Sequence, residues 1–302
     1  MAFIHKYSTI SKGNLFNHGI LYSRLNKNKE ITDIHPDYKK AIPKINLRRM
    51  SKIVKMGLAN SLNCISTKKP DAIIVATGIG SLQHTELFLS SFVNTEQSIL
   101  SPTPFINSVH NTISGQIALY TGNKGYNSTY SQNSLSFEGS LLDAIMLTKE
   151  GKTIIIGGVD ESIPILEETL SEIGTKNKFA TGSTFFNIDA DKTNSLCEIT
   201  ECIIIKKEKL KPFMESNFNS NQDFIIEGIS HCNIENKATN LEYSKFCGIY
   251  MTNSAFGMQL GVELLNSNIS KLEGYTLPSI TKRIFIVNYA SKDDISIIIL
   301  KK

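Results

Sequence analysis

The side chains able to do chemistry in this sequence are few and scattered. Ser134 stands at the head of an apolar helical stretch, where a hydroxyl has two uses. As an N-cap its oxygen accepts from a free backbone N–H of the first helical turn. As a nucleophile it needs a base within hydrogen-bond reach, and the candidates are His110 and His231. The cap is the simpler role. His110, between Val109 and Asn111, reads as a buried histidine with its hydrogen bonds satisfied. His231, in Ser230-His231-Cys232, reads as a surface or strand-end residue. Asp160 and Glu161 form a carboxylate pair at the end of an apolar run. The five cysteines, Cys64, Cys197, Cys202, Cys232 and Cys247, are odd in number and lack any Cys-x-x-Cys spacing. They support neither a zinc site nor a disulfide framework. Lys39, Lys40, Lys44, Arg48 and Arg49 gather basic charge in one segment, either as a solvated face or as a contact for an acidic partner.

Around these residues the composition is that of an ordinary globular protein. The chain has 302 residues, 41% hydrophobic and 20% charged, enough for a large core. A net charge of +4 is too mild to argue for nucleic acid. No run approaches the ~18 consecutive apolar residues of a membrane span. Met1 to Ile10, with His5 and Lys6, has no signal-peptide core. A cytoplasmic protein is expected.

Strands and helices in alternation must position the candidate residues. Phe3 to Ile10 reads as an opening strand, and the polar stretch 11–33 as loop with a short helix. His35 to Lys40, with Ile42 and Pro43, reads as extended chain, because proline biases its predecessor away from helix. Asn46 caps a helix whose apolar positions are Met50, Ile53, Val54, Met56, Leu58 and Leu62. Asp71 to Thr77 is a strand of the doubly buried kind, ending in Gly78-Ile79-Gly80. A helix over 82–93 follows, with Leu87, Phe88 and Phe92 inward. Ile106, Val109, Ile113, Ile117 and Tyr120 share one helical face, and Gly115 lets that helix approach a neighbour.

Gly122 and Gly125 then mark a turn, and Asn127 to Gln132 a polar strand. Leu135, Leu141, Leu142, Ile145 and Met146 form the apolar face of the helix that Asn133 and Ser134 open. Thr153 to Ile156 is a second buried strand. Further on, Glu198 to Lys206 and Phe224 to Ile229 read as strands, joined by a polar connection that includes Pro212. Ser254 to Leu265 suits a buried helix, and Arg283 to Ala290 and Ile295 to Leu300 an antiparallel pair around Ser291 to Asp294. The order is that of an open α/β sheet, repeated more faintly in the second half.

Several of these segments resemble the core of the β-ketoacyl synthases, the thiolase-fold condensing enzymes of fatty acid and polyketide synthesis. They are Ser108-Val109-His110-Asn111-Thr112 with Gly115, the Gly125 turn, the helix through Leu141 and Ala144, and Ile154-Ile155-Ile156-Gly157-Gly158 with Asp160-Glu161. Pro36-Asp37-Tyr38-Lys39, Leu47-Arg48-Arg49-Met50 and Thr77-Gly78-Ile79-Gly80 resemble the N-terminal part of one subgroup. That subgroup is associated with bacterial aryl polyene and dialkylresorcinol pigments, the flexirubin type included. The resemblance is continuous over about the first half of the chain. It implies a thiolase-like layered αβαβα fold made of two pseudo-symmetric halves. They would be residues 1–190 and a shortened 191–302, folded as one unit.

The resemblance also implies what the site should hold. In that family a cysteine thiolate at the start of the central helix accepts the acyl chain. It lies ten residues before the small residue matching Ala144, which is the place of Ser134. Two histidines stabilise the enolate formed as a malonyl unit loses carbon dioxide. One follows the glycine matching Gly248, where this chain has Ile249. The other has His231 as its nearest counterpart, without the surrounding Gly/Thr-rich motif. Asp160 and Glu161 are structural in the family. No cofactor is implied beyond the phosphopantetheine arm of an acyl carrier protein, with Lys40, Arg48 and Arg49 as the candidate contact.

Two function classes follow. One is a non-catalytic subunit, like the chain length factors of type II polyketide systems, that pairs with an active ketosynthase and shapes the acyl tunnel. The other is an active 3-oxoacyl-[acyl carrier protein] synthase or acyltransferase with serine as nucleophile. Residues that act as a unit fail together, and the missing cysteine and histidine favour the first. A thiolase-like enzyme using free coenzyme A is disfavoured, because its cysteines are absent too. In the family the strand before the nucleophile helix pairs with its twin across a dimer. The expected interface is therefore Asn127, Ser128, Thr129, Tyr130 and Ser131, with Phe105 and Ile106 adding apolar burial. The partner would be an active synthase or a second copy.

Overall fold

The computed structural model describes residues 1–11, 14–15, 36–43, 47–48, 50–66, 68–94, 101–175, 177–230, 240–267, 269, 271–272 and 274–302. His35, Lys44, Asn46, Arg49, His231 and Cys232, named above, lie outside them, as does most of 11–33. The first half runs β1 (Ala2–Ser11), α1 (Lys52–Cys64), β2 (Ala72–Ala76), α2 (Leu82–Asn94), α3 (Pro102–Ser108), α4 (Thr112–Thr121) and β3 (Tyr126–Tyr130). It continues with α5 (Ser136–Lys149), β4 (Ile154–Asp160), α6 (Pro164–Glu172) and β5 (Gly182–Asp189). The second half runs β6 (Cys197–Lys206), α7 (Leu210–Asn217), β7 (Asp223–Ile229), β8 (Leu241–Glu242), α8 (Ser254–Leu265), β9 (Arg283–Tyr289) and β10 (Asp294–Lys301).

The strands lie in the order β3-β2-β4-β5-β1-β6-β10-β9-β7-β8. In the first five, β3, β2 and β4 are parallel, and β5 and β1 are added antiparallel. In the last five, β8, β7 and β9 are parallel, and β10 and β6 are added antiparallel. The two arrays thus have the same order and sense. They meet only where β1 pairs with β6, at Ala2–Ile199, Phe3–Glu198 and Ile4–Cys197.

The apolar patterning explains the layers. Successive strand residues face opposite sides, so a run such as Ala72 to Ala76 must be buried on both. Ile73, Val75 and Ile155 pack against Ile53, Val54 and Leu58 of α1 and Ile113 and Ile117 of α4. Ile74 and Ile156 face the other way, toward Phe137 and Leu141 of α5, in a central core shared with Met258 and Val262 of α8 and Ile284, Ile286 and Ile298. Phe285, Ile295, Ile297 and Ile299 form the outer face of the second array, covered by Leu210, Phe213 and Met214 of α7. The result is five layers, helix–sheet–helix–sheet–helix, with α5 and α8 in the middle.

Several local expectations change. Ile106 to Tyr120 is two helices, because Val109 is extended at ψ 134° and ends α3. Ile113 and Ile117 are buried, whereas Phe105, Ile106, Val109 and Tyr120 face solvent. A Cβ on Gly115 would meet nothing within 4 Å, so no neighbour within the chain uses its small size. On α2, Leu87 and Phe92 point outward, Phe92 at 66% exposure, and Phe88 stacks on Phe105 with ring centroids 5.2 Å apart. Leu142 and Met146 lie on the outer side of α5, opposite buried Leu141 and Ala144. The connection between β6 and β7 contains α7, with Pro212 in its first turn, where a missing N–H costs no helical bond. Ser51 caps α1, its Oγ accepting from Val54 N at 3.3 Å.

The layering gives a contrast between two isoleucines. Ile298 is 1% exposed in the central core, whereas Ile204 on β6 is 39% exposed. Ile298→Ala should lower stability by about 2–5 kcal/mol. Ile204→Ala should cost less than about 1 kcal/mol. Urea unfolding midpoints of the two variants check the order.

Candidate functional site

The turn between β3 and α5 builds the site. Asn133 has φ +50°, in the left-handed region that a side chain rarely adopts. Ser136 braces the turn, its Oγ accepting from Gln132 N at 2.7 Å and donating to Asn133 O at 2.6 Å. Ser134 is therefore not the helix cap. Leu135 holds that position with no side-chain cap, and α5 begins at Ser136. The Ser134 side chain instead turns inward, where it is 3% exposed and its Oγ donates to Met251 Sδ at 3.1 Å.

Met251 comes from the loop 248–253 ahead of α8. A Cβ on Gly78 would fall 2.1 Å from Met251 Cβ and 2.3 Å from Cγ, so only glycine lets this side chain lie there. The end of β2, the Ser134 hydroxyl and the second-half loop thus converge, and a thioether fills the space between them. Ile249 is used otherwise: its carbonyl accepts from Ala180 N at 2.8 Å and its side chain packs on the central core.

Buried polar groups hold this convergence in place. Asp160 Oδ1 accepts from Gly78 N at 2.7 Å and Thr77 Oγ1 at 3.1 Å. Its Oδ2 accepts from Thr252 N and Thr252 Oγ1, both at 2.8 Å. Burial raises the Asp160 pKa, and these four bonds pull against that shift. Beneath Ser134, Asn288 Nδ2 donates to Ser134 O at 3.2 Å and to Glu138 Oε1 at 2.9 Å. Ser296 Oγ donates to the same Glu138 oxygen at 2.6 Å. Ser230 Oγ lies 2.5 Å from Asn253 Oδ1 and 2.8 Å from Asn288 Oδ1, and Asn253 Nδ2 donates to Ile229 O at 2.7 Å. Burial pushes the Glu138 carboxyl up as well.

Glu161 points to the other side of β4. Its Oε1 accepts from Gln83 N at 3.0 Å, in the first turn of α2, and Ile53 N of α1 also donates to it. Burial raises its pKa to about 7 against those donors. The adjacent carboxylates are thus braces facing different elements. His110 is exposed, with its ring lying over Gly80, so the buried placement expected for it is wrong. No hydrogen bond joins it to Ser134 among the described residues. His231 lies outside those residues. Lys40 and Arg48 are exposed, and Arg49 is not among the residues described.

Of the expected interface, Asn127 to Tyr130 form β3, which pairs with β2 on one side and has an open edge on the other among the described residues. Tyr126 joins the strand, and Ser131 falls just beyond it. No cluster of His, Cys, Asp or Glu suited to a metal ion occurs among the described residues, and no described helix is long and apolar enough to cross a membrane. Sequence reasoning missed Met251 and the Glu138–Asn288 pair. An acidic residue one turn into an otherwise apolar helix was the available signal for Glu138. Met251 carried none.

The raised carboxyls predict the pH dependence. A group whose pKa is higher folded than unfolded stabilises the fold fully below its unfolded value, near 4.5 for Glu161. That contribution is lost as pH rises through about 7. The loss for Glu161 is of the order of 3 kcal/mol. The wild type should be more stable at pH 5 than at pH 8, and Glu161→Gln should flatten that difference. Denaturant unfolding of both proteins at the two pH values reads it.

The profile of the family described as "Beta-ketoacyl synthase, N-terminal domain" matches residues 23–183, more than half of the chain. Among solved structures, the chain is similar to the type II PKS acyl-carrier protein complex AntDE:AntF, with its ketosynthase bound to the hexaketide. The TM-score is 0.79 at 14% identity, covering 99% of both chains. The ishigamide ketosynthase/chain length factor gives 0.74 at 10% identity, again over 99% of both. The ketosynthase ApeO with its chain length factor ApeC, from Xenorhabdus doucetiae, gives 0.53 at 18% identity, over 68% of this chain and 83% of that one. No curated protein matches the sequence. The layered fold is that of the thiolase-like ketosynthases.

Proposed function

Because the chain belongs to the β-ketoacyl synthase family, we propose that it is a non-catalytic, chain-length-factor-like subunit that pairs with an active ketosynthase. The observation that carries this reading is the filled reaction centre. Where the family's nucleophile is expected, Ser134 is buried with its hydroxyl given to Met251, and the Met251 side chain occupies the space over Gly78. An acyl group needs that space to reach the hydroxyl, and a hydroxyl needs a base to attack. Ile249 stands where the resemblance calls for a histidine, and its side chain packs into the core.

The pairing surface is the open edge of β3. Tyr130 O accepts from Thr77 N at 3.0 Å and so points into the sheet. Alternate residues of a parallel strand point the same way, which leaves the N–H and C=O of Asn127 and Thr129 directed outward. Phe105, Ile106, Leu119, Leu142 and Met146 add exposed apolar surface, Leu119 at 76% exposure and Met146 at 63%. Two of the similar structures are ketosynthase/chain length factor complexes by their own description, and one is a complex with an acyl-carrier protein. In the proposed role, acyl groups arrive on phosphopantetheine of a carrier protein that meets exposed Lys40 and Arg48, with Arg49 beside them in sequence. The setting would be the cytoplasm, in type II fatty acid- or polyketide-like synthesis of aryl polyene or flexirubin pigments.

The competing reading is an active synthase or acyltransferase using Ser134. The purified chain, given malonyl- and acyl-carrier protein, should neither condense them nor retain an acyl group. A stable acyl adduct that disappears in Ser134→Ala would establish the enzyme instead. Pairing through β3 is checked separately: Thr129→Pro removes an outward donor and should abolish association with the ketosynthase partner in sedimentation.

A further inference from the structure

The edge of β3 is uncharged, and its sequence Tyr-Asn-Ser-Thr-Tyr reads nearly the same in both directions. An antiparallel neighbour in a two-fold register centred on Ser128 would set Asn127 against Thr129 of the other strand and satisfy both outward residues. One charge lies over this edge. α5 runs back along β3, with Gly139 against Tyr130 and Asp143 reaching Tyr126. Asp143 Oδ2 accepts from Tyr126 Oη at 2.8 Å. Tyr130 is tied to the same carboxylate: burial first, then its hydrogen bond to Asp143, push its hydroxyl up to about 12. Tyr126 and Tyr130 flank Ser128 on one strand face, so the carboxylate that engages both sits over the middle of the strand.

A two-fold axis through Ser128 would therefore bring this carboxylate beside its own copy. Paired strands lie about 4.8 Å apart, which puts two such groups within roughly 10 Å. Exposed Leu142 and Met146 on the same side of α5 would exclude water around them. Among the described residues no Lys or Arg pairs with Asp143 to offset the charge. Like charges facing each other across an interface suppress the wrong partner.

We propose that Asp143 discriminates against self-pairing, so that the β3 edge is built for a related but non-identical subunit. That subunit would present an antiparallel strand and a cationic or neutral hydrogen-bond donor opposite Asp143. This rests on the β3 pairing proposed above and adds which chain completes it. Asp143→Asn keeps an acceptor for Tyr126 while removing the charge, and Asp143→Lys reverses it. In sedimentation equilibrium of the full chain, D143N should self-associate about tenfold more tightly than wild type. An equimolar mixture of wild type and D143K should dimerise at least tenfold more tightly than either alone. Adding Thr129→Pro to D143N should remove the gain. Equal dissociation constants for wild type, D143N and the mixture would overturn the role of Asp143 while leaving β3 pairing intact. Monomers in every sample would likewise overturn the role of Asp143, because its neutralisation would then permit no self-pairing, and β3 pairing itself stands or falls on the Thr129→Pro test with the ketosynthase.

Discussion

A single buried carboxylate fixes the relation between the two halves of this protein. Asp160 ends β4 in the first array, yet two of its four hydrogen bonds go to Thr252 in the second. The other two go to Thr77 and Gly78, at the end of β2. Among the described residues the strands of the two arrays pair at only three positions, between β1 and β6, which do not by themselves set how the middle layer closes. Taking a carboxylate out of water costs several kcal/mol unless its lone pairs are satisfied. Here the donors come from both halves, so the carboxylate is satisfied only when the halves are correctly docked. The penalty then acts as a specificity device for that docking.

The arrangement has a counterpart in the other direction. Asn288, near the matching end of β9, donates to Ser134 O and Glu138 in the first half. It also meets Ser230 at the end of β7. Each array therefore reaches across to the loop that launches the other's central helix: Asp160 to the loop before α8, Asn288 to the loop before α5. The repeated strand order puts these braces at corresponding places of the two arrays. It also explains why the site lies where it does, since both loops end at the same seam.

The legibility of this architecture in the sequence follows the physics of each element. β2, β4, β9, β10 and α8 are largely buried, so runs dominated by apolar residues betray them, and the antiparallel turn at Ser291 to Asp294 is plain. Elements at the surface next to β3 misled. Leu87, Phe92, Ile106, Val109, Leu142 and Met146 are apolar at helical spacing, which reads as an inward face, yet all six are exposed in the single chain. Periodicity reports that a face is apolar and is silent about what covers it. The break at Val109 left no Pro or Gly to announce it. Ser134 was read as a cap because serine before an apolar run usually is one. With Asn133 left-handed, the cap position moves one residue on, to Leu135, and the Ser134 hydroxyl turns inward, which no local rule foretells.

The left-handed turn ahead of α5 also bears on the shape of the site at Ser134. A left-handed asparagine costs about 1 kcal/mol relative to ordinary backbone. Strain of this kind often marks chemistry, and here the turn also has a structural use. It aims α5 into the central layer, sets Ser134 O against Asn288 and lets Ser136 close the loop. Releasing the strain would move Ser134 O away from the Asn288 brace at the seam. It would also shift β3, which leads directly into the turn and carries the open edge. Constraints from the seam and from the edge therefore act together on the geometry of this turn. Met251 fills the space over Gly78 with a flexible apolar side chain whose sulfur accepts the buried Ser134 hydroxyl.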